Sequence, residues 1–527
     1  MTPDPRPFSL RARREDGFTL IELLVAIVIL GVLAAVVVFS VRGIGDKGRE
    51  NAVAADAATL RTAEEAYCAK YGRYASIDDL KEAKLLRGDP VYNMVAVGNE
   101  KKCGRGESSS FTLYGTSPME NGASKIPVGA SPVDLAVDEK ADRVYVVASG
   151  SKSVTVIDGR TDTPIGSPID VSSAVSTPTR IAVNTGTGQV YVGGTGGLAV
   201  IDTANADRVT RIDFPAAVSA VAVSPENGEV YVAGGTTSSS TVAYIAAGSA
   251  EATQISLPAG VVVSGDNGTD FAFDASRHAV YLAKSNVGTG ATEAASIGLF
   301  AISSETHTAR IAWKSPTKSS CNSYTGDNLL ARSVIGSVAV DPHRNLVYLL
   351  AERCVAPKGS VRTTIAVNPT EQTAKAIDEP VGAKGTPIAA AYSSAAGSVY
   401  VYANAAGSET CGGYAGRIVR IAGTKVMGQS AACGATAAGT GGNQTHKMAV
   451  LNSLNRVFAA QMYEIDKESG RVLAPGGLAV ADGTTYLTQA PLGPAVQFTA
   501  LAVNNKTAKV YALDPAGTVA VFRTGSA

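Results

Sequence analysis

One carboxylate, Glu22, stands inside an otherwise uncharged apolar run from Phe18 to Val41, and three arginines, Arg11, Arg13 and Arg14, precede that run. A carboxylate placed in hydrocarbon costs about 2.5–3.5 kcal/mol on insertion scales, so one that is kept needs a cation to meet it. The run is long enough to cross a bilayer, which takes roughly 20 apolar residues, and too long for the roughly 7–15-residue core of a secretory signal. Elsewhere the chemistry is sparse. The four histidines, His278, His307, His343 and His446, are far apart in sequence and read as solvated turn or loop residues. No Gly-x-Ser-x-Gly elbow, P-loop or HExxH motif occurs, so no catalytic residue, metal ligand or cofactor site is assigned and the chain is read as a non-enzyme. The six cysteines form no CxxC pair, which disfavours zinc and thioredoxin-like chemistry.

The hexad Gly17-Phe18-Thr19-Leu20-Ile21-Glu22 resembles the leader motif of type IV prepilins and type II secretion pseudopilins. The resemblance implies cleavage after Gly17 by a membrane prepilin peptidase and N-methylation of the new terminal Phe18. It also implies that Glu22 pairs with the Phe18 amine of a neighbouring subunit during filament assembly. The implied partners are other pilin or pseudopilin subunits, the membrane assembly platform, and the inner membrane itself through residues 18–41. The head would then be exported to a cell-surface or extracellular filament of a bacterium. Many pilins carry a proline partway along this helix; the matching position here is Phe39, which puts a proline-linked kink in doubt.

Beyond the membrane run, Val53, Ala57, Leu60, Ala63, Tyr67 and Tyr71 recur at spacings of three and four, an apolar stripe of helical period. A helix from Phe18 to about Lys70 would be roughly 80 Å long at 1.5 Å per residue. Tyr71-Gly72 ends it, Gly suiting the C-terminal cap. Ser76-Ile77-Asp78-Asp79 resembles a capping box opening a short helix to Leu86, and Phe111-Thr112-Leu113-Tyr114 reads as a strand. Asp78 and Asp79 read as cap residues rather than calcium ligands, and the segment lacks the acidic loop that major pseudopilins carry. Cys68 and Cys103 are placed to staple this small head.

From Lys125 onward one pattern returns eight times, beginning with Leu135-Ala136-Val137 and Val144-Tyr145-Val146 and ending with Leu501-Ala502-Val503 and Val510-Tyr511-Ala512. A third strand often follows, as in Val154-Thr155-Val156-Ile157, and a weaker fourth, as in Val209-Thr210-Arg211-Ile212. Four strands recurring roughly every 40–65 residues is the signature of a β-propeller. These repeats resemble YVTN-type surface propellers over residues 125–527. The expected fold is therefore an α+β pilin-like stalk and small head followed by an all-β propeller of eight four-stranded blades, or seven if one copy is an insert. The domains are a leader (1–17), a membrane and stalk helix (18–70), a small head (71–116), a linker (117–124) and the propeller (125–527). The orphan Lys125-Ile126-Pro127-Val128 can complete the last repeat, which lacks a fourth strand, and so remove a sheet edge.

Ring closure fixes two faces. Connections from first to second strand are short throughout, whereas the long insertions join second to third strands or one blade to the next, all on the opposite face. Those insertions carry Cys321, Cys354, Cys411 and Cys433, so Cys321 with Cys354 and Cys411 with Cys433 can close there. Trp313, Tyr324 and Tyr414 fall on or near the same face and offer aromatic surface for a glycan or peptide ligand. The linker enters on the short-turn face, which leaves the decorated face pointing outward. Lys plus Arg (46) equals Asp plus Glu (46), which argues against nucleic-acid binding. The function read from this combination is a minor pilin or pseudopilin presenting a propeller for adhesion or ligand recognition. The alternatives are a surface-tethered propeller enzyme and a structural filament subunit.

Overall fold

The computed structural model divides the chain into two units, Met1–Ala55 and Asp56–Ala527. It describes helical residues 55 and 58–71, Gly72, residues 77–87, the strands Asn93–Val97 and Phe111–Gly115, and most of 124–523 apart from the longer connections. The membrane run with Gly17, Phe18 and Glu22 lies outside the described residues, and so does the first part of the expected helix.

In helix 58–71 the stripe holds at three of its positions, while Tyr71 at the end of the helix is 47% exposed and Val53 and Ala57 lie outside the described residues. Leu60, Ala63 and Tyr67 are buried and pack against Leu80 of the short helix Ile77–Glu82. The long helix ends at Gly72, whose φ of +70° no side chain adopts cheaply and whose N–H donates to the Cys68 carbonyl at 2.8 Å. The short helix stops at Glu82 rather than Leu86, because Lys84 turns left-handed (φ +59°) and the Leu85 N–H returns to the Leu80 carbonyl. Phe111–Gly115 is a strand, and Asn93–Val97 pairs with it antiparallel as a hairpin. Gly115 then pairs in parallel with Gln489, so the hairpin extends the outer edge of the seventh blade.

The remainder is an eight-bladed propeller. Blade 1 takes Pro132–Asp138, Arg143–Ala148 and Ser153–Asp158 from the inside outward, with two short outer pieces at Thr163–Pro164 and Ile169–Asp170. The second strand of each blade is covered on both faces, which is why it reads as an unbroken Val-Tyr-Val run instead of an alternating one. Tyr145, Tyr191, Tyr231, Tyr281, Tyr348, Tyr400 and Tyr511 occupy one repeated position, with Phe458 in blade 7, and all are buried. The core is a ring of clusters between neighbouring blades, such as Tyr145, Val147 and Val156 of blade 1 against Ile181, Val190 and Val192 of blade 2. Burial pushes the phenols of Tyr231, Tyr348 and Tyr511 well above their usual range, so they stay protonated, and those of Tyr231 and Tyr348 donate to Glu229 Oε2 and to the Gly423 carbonyl.

The short turns are capped by a repeated side chain at the end of the inner strand. Asp138 accepts from the N–H groups of Lys140 and Ala141, Asn184 from Gly186 and Thr187, Asp341 from His343 and Arg344, and Asn504 from Lys506 and Thr507. Ser224, Asp274 and Ser393 do the same in their blades, while Leu451 has no such bond. This is the local side-chain turn that favours Asp, Asn and Ser at such corners.

The ring closes as the unpaired terminal segment predicts. Ser124–Pro127 pairs antiparallel with Thr518–Arg523 and forms the outer strand of blade 8, whose inner strands are Ala500–Asn504 and Lys509–Asp514. Ile126 and Val128 bury their side chains in the cluster shared by blades 8 and 1. Across the same junction Lys509 Nζ meets Asp162 Oδ1 at 2.8 Å, and Arg523 Nη2 meets Asp162 Oδ2 at 2.6 Å.

Candidate functional face

Adjacent strands are antiparallel, so turns from first to second and from third to fourth strand share one face, and all other connections share the opposite one. The long connections do fall on that opposite face: from Lys314 to Ala331, from Ala406 to Tyr414 and from Cys433 to Met448. Blades 5 and 6 are also taller there. Their strands, such as Ala331–Asp341, Leu346–Val355 and Ser398–Ala406, run to 11, 10 and 9 residues, against 7 and 6 for Pro132–Asp138 and Arg143–Ala148 in blade 1. At about 3.3 Å per residue, the surplus raises this part of the rim by roughly 10 Å.

The cysteines sit on this rim where the backbone shows them. Cys354 lies near the upper end of its strand, opposite Ser360, and is disulfide-bonded; Cys433 ends the outer strand of blade 6, opposite Ala415. Cys68, in helix 58–71, is also disulfide-bonded. Cys103, Cys321 and Cys411 lie outside the described residues, as does the side chain of Cys433. Tyr414 begins a strand at the same rim, its side chain undescribed, and Tyr324 lies outside the described residues. Trp313 is a correction. It is only 7% exposed and packs in the core between blades 4 and 5, with Leu299, Ala331 and Val338 among its cluster. It stands at the end of the outer strand of blade 4, and the tall inner strand of blade 5 covers it, so it offers no stacking surface.

The opposite face brings together histidines that the sequence leaves scattered. His278, in the inner turn of blade 4, hydrogen-bonds Glu226 in the corresponding turn of blade 3. His307, in the outer turn of blade 4, contacts both oxygens of Glu229 at 3.0 Å and stacks on Tyr244 at 3.6 Å. Both pairs cross the seam between blades 3 and 4. The signal was available, since equivalent turns in a propeller share a face; it required aligning the turns and not only the strands. The arrangement is not a hydrolytic triad. Ser304 Oγ donates to Glu226 Oε2 at 3.2 Å, so hydroxyl and imidazole both bind the carboxylate and the imidazole is not placed to take the serine proton. Among the described residues no group of His, Cys, Asp and Glu is arranged to hold a metal ion.

Carboxylates on the inner strands are likewise committed to the fold. Asp134 is fully buried and accepts from the N–H groups of Leu135 and of Ile181 in the next blade. Asp138, Asp274 and Asp341 cap turns. Arg180, also on an inner strand, donates to the Ser219 carbonyl at 2.7 Å. Backbone groups engage all of them, and neighbouring side chains add to this at Asp274, which also accepts from Ser276 Oγ and Arg277, and at Asp341, which also accepts from Arg344.

With this geometry in view, the comparisons divide the chain in two. Residues 12–38, which include Gly17, Phe18 and Glu22, match the prokaryotic N-terminal methylation motif. A segment of 78 residues is 33% identical to type II secretion system core protein G of Klebsiella michiganensis, covering 15% of this chain and 55% of that one. The corresponding protein of Pectobacterium carotovorum subsp. carotovorum is 40% identical over 74 residues, 14% of this chain and 47% of that one. The chain thus spans about half the length of these curated relatives. The N-terminal segment is prepilin- and pseudopilin-like, which implies processing by a prepilin peptidase and anchoring in a bacterial inner membrane. Among solved structures, Saccharomyces cerevisiae Sqt1 superimposes with a TM-score of 0.50 at 10% identity, covering 76% of this chain and 98% of that one, a likeness of fold alone. Among the described residues no helix is long and apolar enough to cross a membrane.

Proposed function

We propose that the protein is a low-abundance pilin or pseudopilin subunit that carries an eight-bladed propeller, of the YVTN surface type, as its display domain. The observation that carries this reading is the union of a methylation motif at residues 12–38 with a closed propeller whose insertions and tall strands gather on one face. A head of about 400 residues on every subunit would crowd a filament, which favours a tip or scattered position. In this reading the peptidase cuts after Gly17, Phe18 is methylated, and Glu22 pairs with the Phe18 amine of a neighbour. Cys68 bonds Cys103, Cys321 bonds Cys354 and Cys411 bonds Cys433, the last two tying down the display face. The ligand is an extracellular glycan or protein, with Tyr324 and Tyr414 among the aromatic contacts.

The engagement of inner-strand carboxylates by backbone N–H groups favours binding over catalysis, the enzyme reading being the alternative. Two measurements test the anchor. Mass spectrometry of the mature chain is expected to begin at methylated Phe18, and Glu22→Ala is expected to be processed normally yet enter filaments poorly. A mature chain starting at Met1 in cells with active prepilin peptidase, or normal incorporation of the variant, would overturn it.

A further inference from the structure

Each inner strand has a single ladder partner, so its other edge borders the axis of the ring. In blades 1, 2, 3 and 6 that strand skips one residue at the same repeat position, passing over Val133, Thr179, Ser219 and Ile388. Such bulges leave backbone groups out of the ladder and are common beside binding and active sites. The inner strands end at the short turns, so the bulges lie toward the decorated end of the axis.

Between blades 2 and 3 two of these bulges meet one cation. Arg180 Nε donates to the Ser219 carbonyl at 2.7 Å, and Arg180 Nη1 donates to the Thr179 carbonyl at 2.9 Å. These bonds fix the guanidinium and use two of the five N–H groups that an arginine carries. Arg180 is half-buried, and the second strands behind it are closed, with Val192, Val232 and Ala233 buried. Its exposed part therefore borders the axis. No carboxylate among the described residues pairs with it. Asp134, at the same repeat position of blade 1, is fully buried and accepts from the Leu135 and Ile181 N–H groups instead. A cation partly withdrawn from water, with only neutral partners, favours an anion that brings its own acceptors.

The ground around it suits a sugar. Ser131, Ser151, Ser172, Ser176 and Thr177, all exposed, belong to the decorated rim of blades 1 and 2. Thr177 begins the strand that carries Arg180, about 10 Å away along the chain. A protein partner would need an apolar anchor. The large apolar side chains exposed among the described residues stand elsewhere: Tyr71 in helix 58–71, Ile165 on the outer edge of blade 1 and Met427 in the outer strand of blade 6. In an eight-bladed ring blade 6 lies across the axis from blade 2, and its nine-residue strands give the low rim a taller wall to face. We propose that Arg180 is the floor of a binding site for acidic glycans, taking the carboxylate of a uronate residue while the rim hydroxyls bond the neighbouring sugars. The inference rests on the display reading above and narrows its ligand to one class, but no filament enters its test.

The full chain in lipid nanodiscs is titrated by calorimetry, at low ionic strength, with oligogalacturonate, oligomannuronate, the carboxyl-reduced form of each, and a sulfated galactan. At least one uronate oligomer is expected to bind, and its reduced form and the sulfated galactan to bind about tenfold or more weakly. Arg180→Gln is expected to lower the uronate affinity by a similar factor. That change also disturbs the Ser219 and Thr179 carbonyls, so a second variant leaves Arg180 and its bonds in place. Thr177→Glu sets a carboxylate at the rim that repels the ligand's own and is expected to weaken binding about threefold or more. Thr185→Glu adds the same charge in the exposed short turn of blade 2 and is expected to leave binding unchanged. Binding of neither uronate, binding that survives carboxyl reduction, preference for the sulfated polymer, or equal effects from the two glutamates would overturn the proposal. Failed filament labelling with uronate binding intact would strike the display reading alone.

Discussion

On one face of the ring the inner strands turn back within a few residues, as between Asp138 and Arg143, and seven turns spend a side chain on their own backbone. On the other face the chain leaves for long excursions, from Lys314 to Ala331 and from Cys433 to Met448, and the strands beneath them lengthen. The first face also carries contacts that cross from blade to blade: Arg277 to the Pro342 carbonyl, Arg344 to the Gly397 carbonyl, and Asn505 to Glu139. The difference separates two jobs. A face whose short turns are capped by their own side chains and linked from blade to blade holds the ring, and a face whose connections vary in length is the one that can be shaped to a ligand.

The sharpest break in that division comes from the closing junction. Asp162→Ala leaves Lys509, itself 8% exposed, without its carboxylate and is expected to cost about 3–5 kcal/mol, read as a lowered urea midpoint. Ligand binding by the protein that remains folded should be unchanged. A smaller loss, about 1–2 kcal/mol, is expected for Asp138→Ala, which orphans the Lys140 and Ala141 N–H groups. Across the ring the pattern should reverse. Tyr324→Ala is expected to weaken attachment tenfold or more in a glycan- or cell-binding assay and to leave stability within about 0.5 kcal/mol, while His343→Ala changes neither. If the two variants behaved alike, the assignment of faces would fall.

The smallest effect concerns acid. The Asp158 carboxyl is held below the usual range by the N–H groups of Thr161 and then Arg160, and that of Asp202 by the Asn205 side chain and then the Ala204 N–H. A folded-state value below the unfolded one contributes stability above the ordinary carboxylate range and loses it as pH falls through the folded value. Urea midpoints should therefore decline below about pH 4. The decline should be shallower in Asp202→Asn, which keeps an acceptor without the charge.

The propeller was legible because its period is physical: each blade must bury a two-faced second strand, and the Val-Tyr-Val run repeats wherever that happens. The closing strand was legible as a repeat with one strand too few at one end and an orphan at the other. The hairpin partner Asn93–Val97 was not, since a lone apolar pentapeptide with no polar alternation gives no strand period. Trp313 misled because an aromatic beside a long insertion reads as exposed, and only the height of blade 5 shows that it is covered. The Glu226–His278 and Glu229–His307 pairs escaped because they join turns of different blades, which strand patterns do not align.

The central claim, that a pilin-type anchor carries this propeller onto a filament, is tested most directly by locating an epitope-tagged protein on sheared surface filaments. The account predicts sparse labelling, at tips or scattered sites, that disappears when prepilin peptidase is removed. Tagged protein confined to the membrane fraction, in cells whose filaments are otherwise normal, would contradict it.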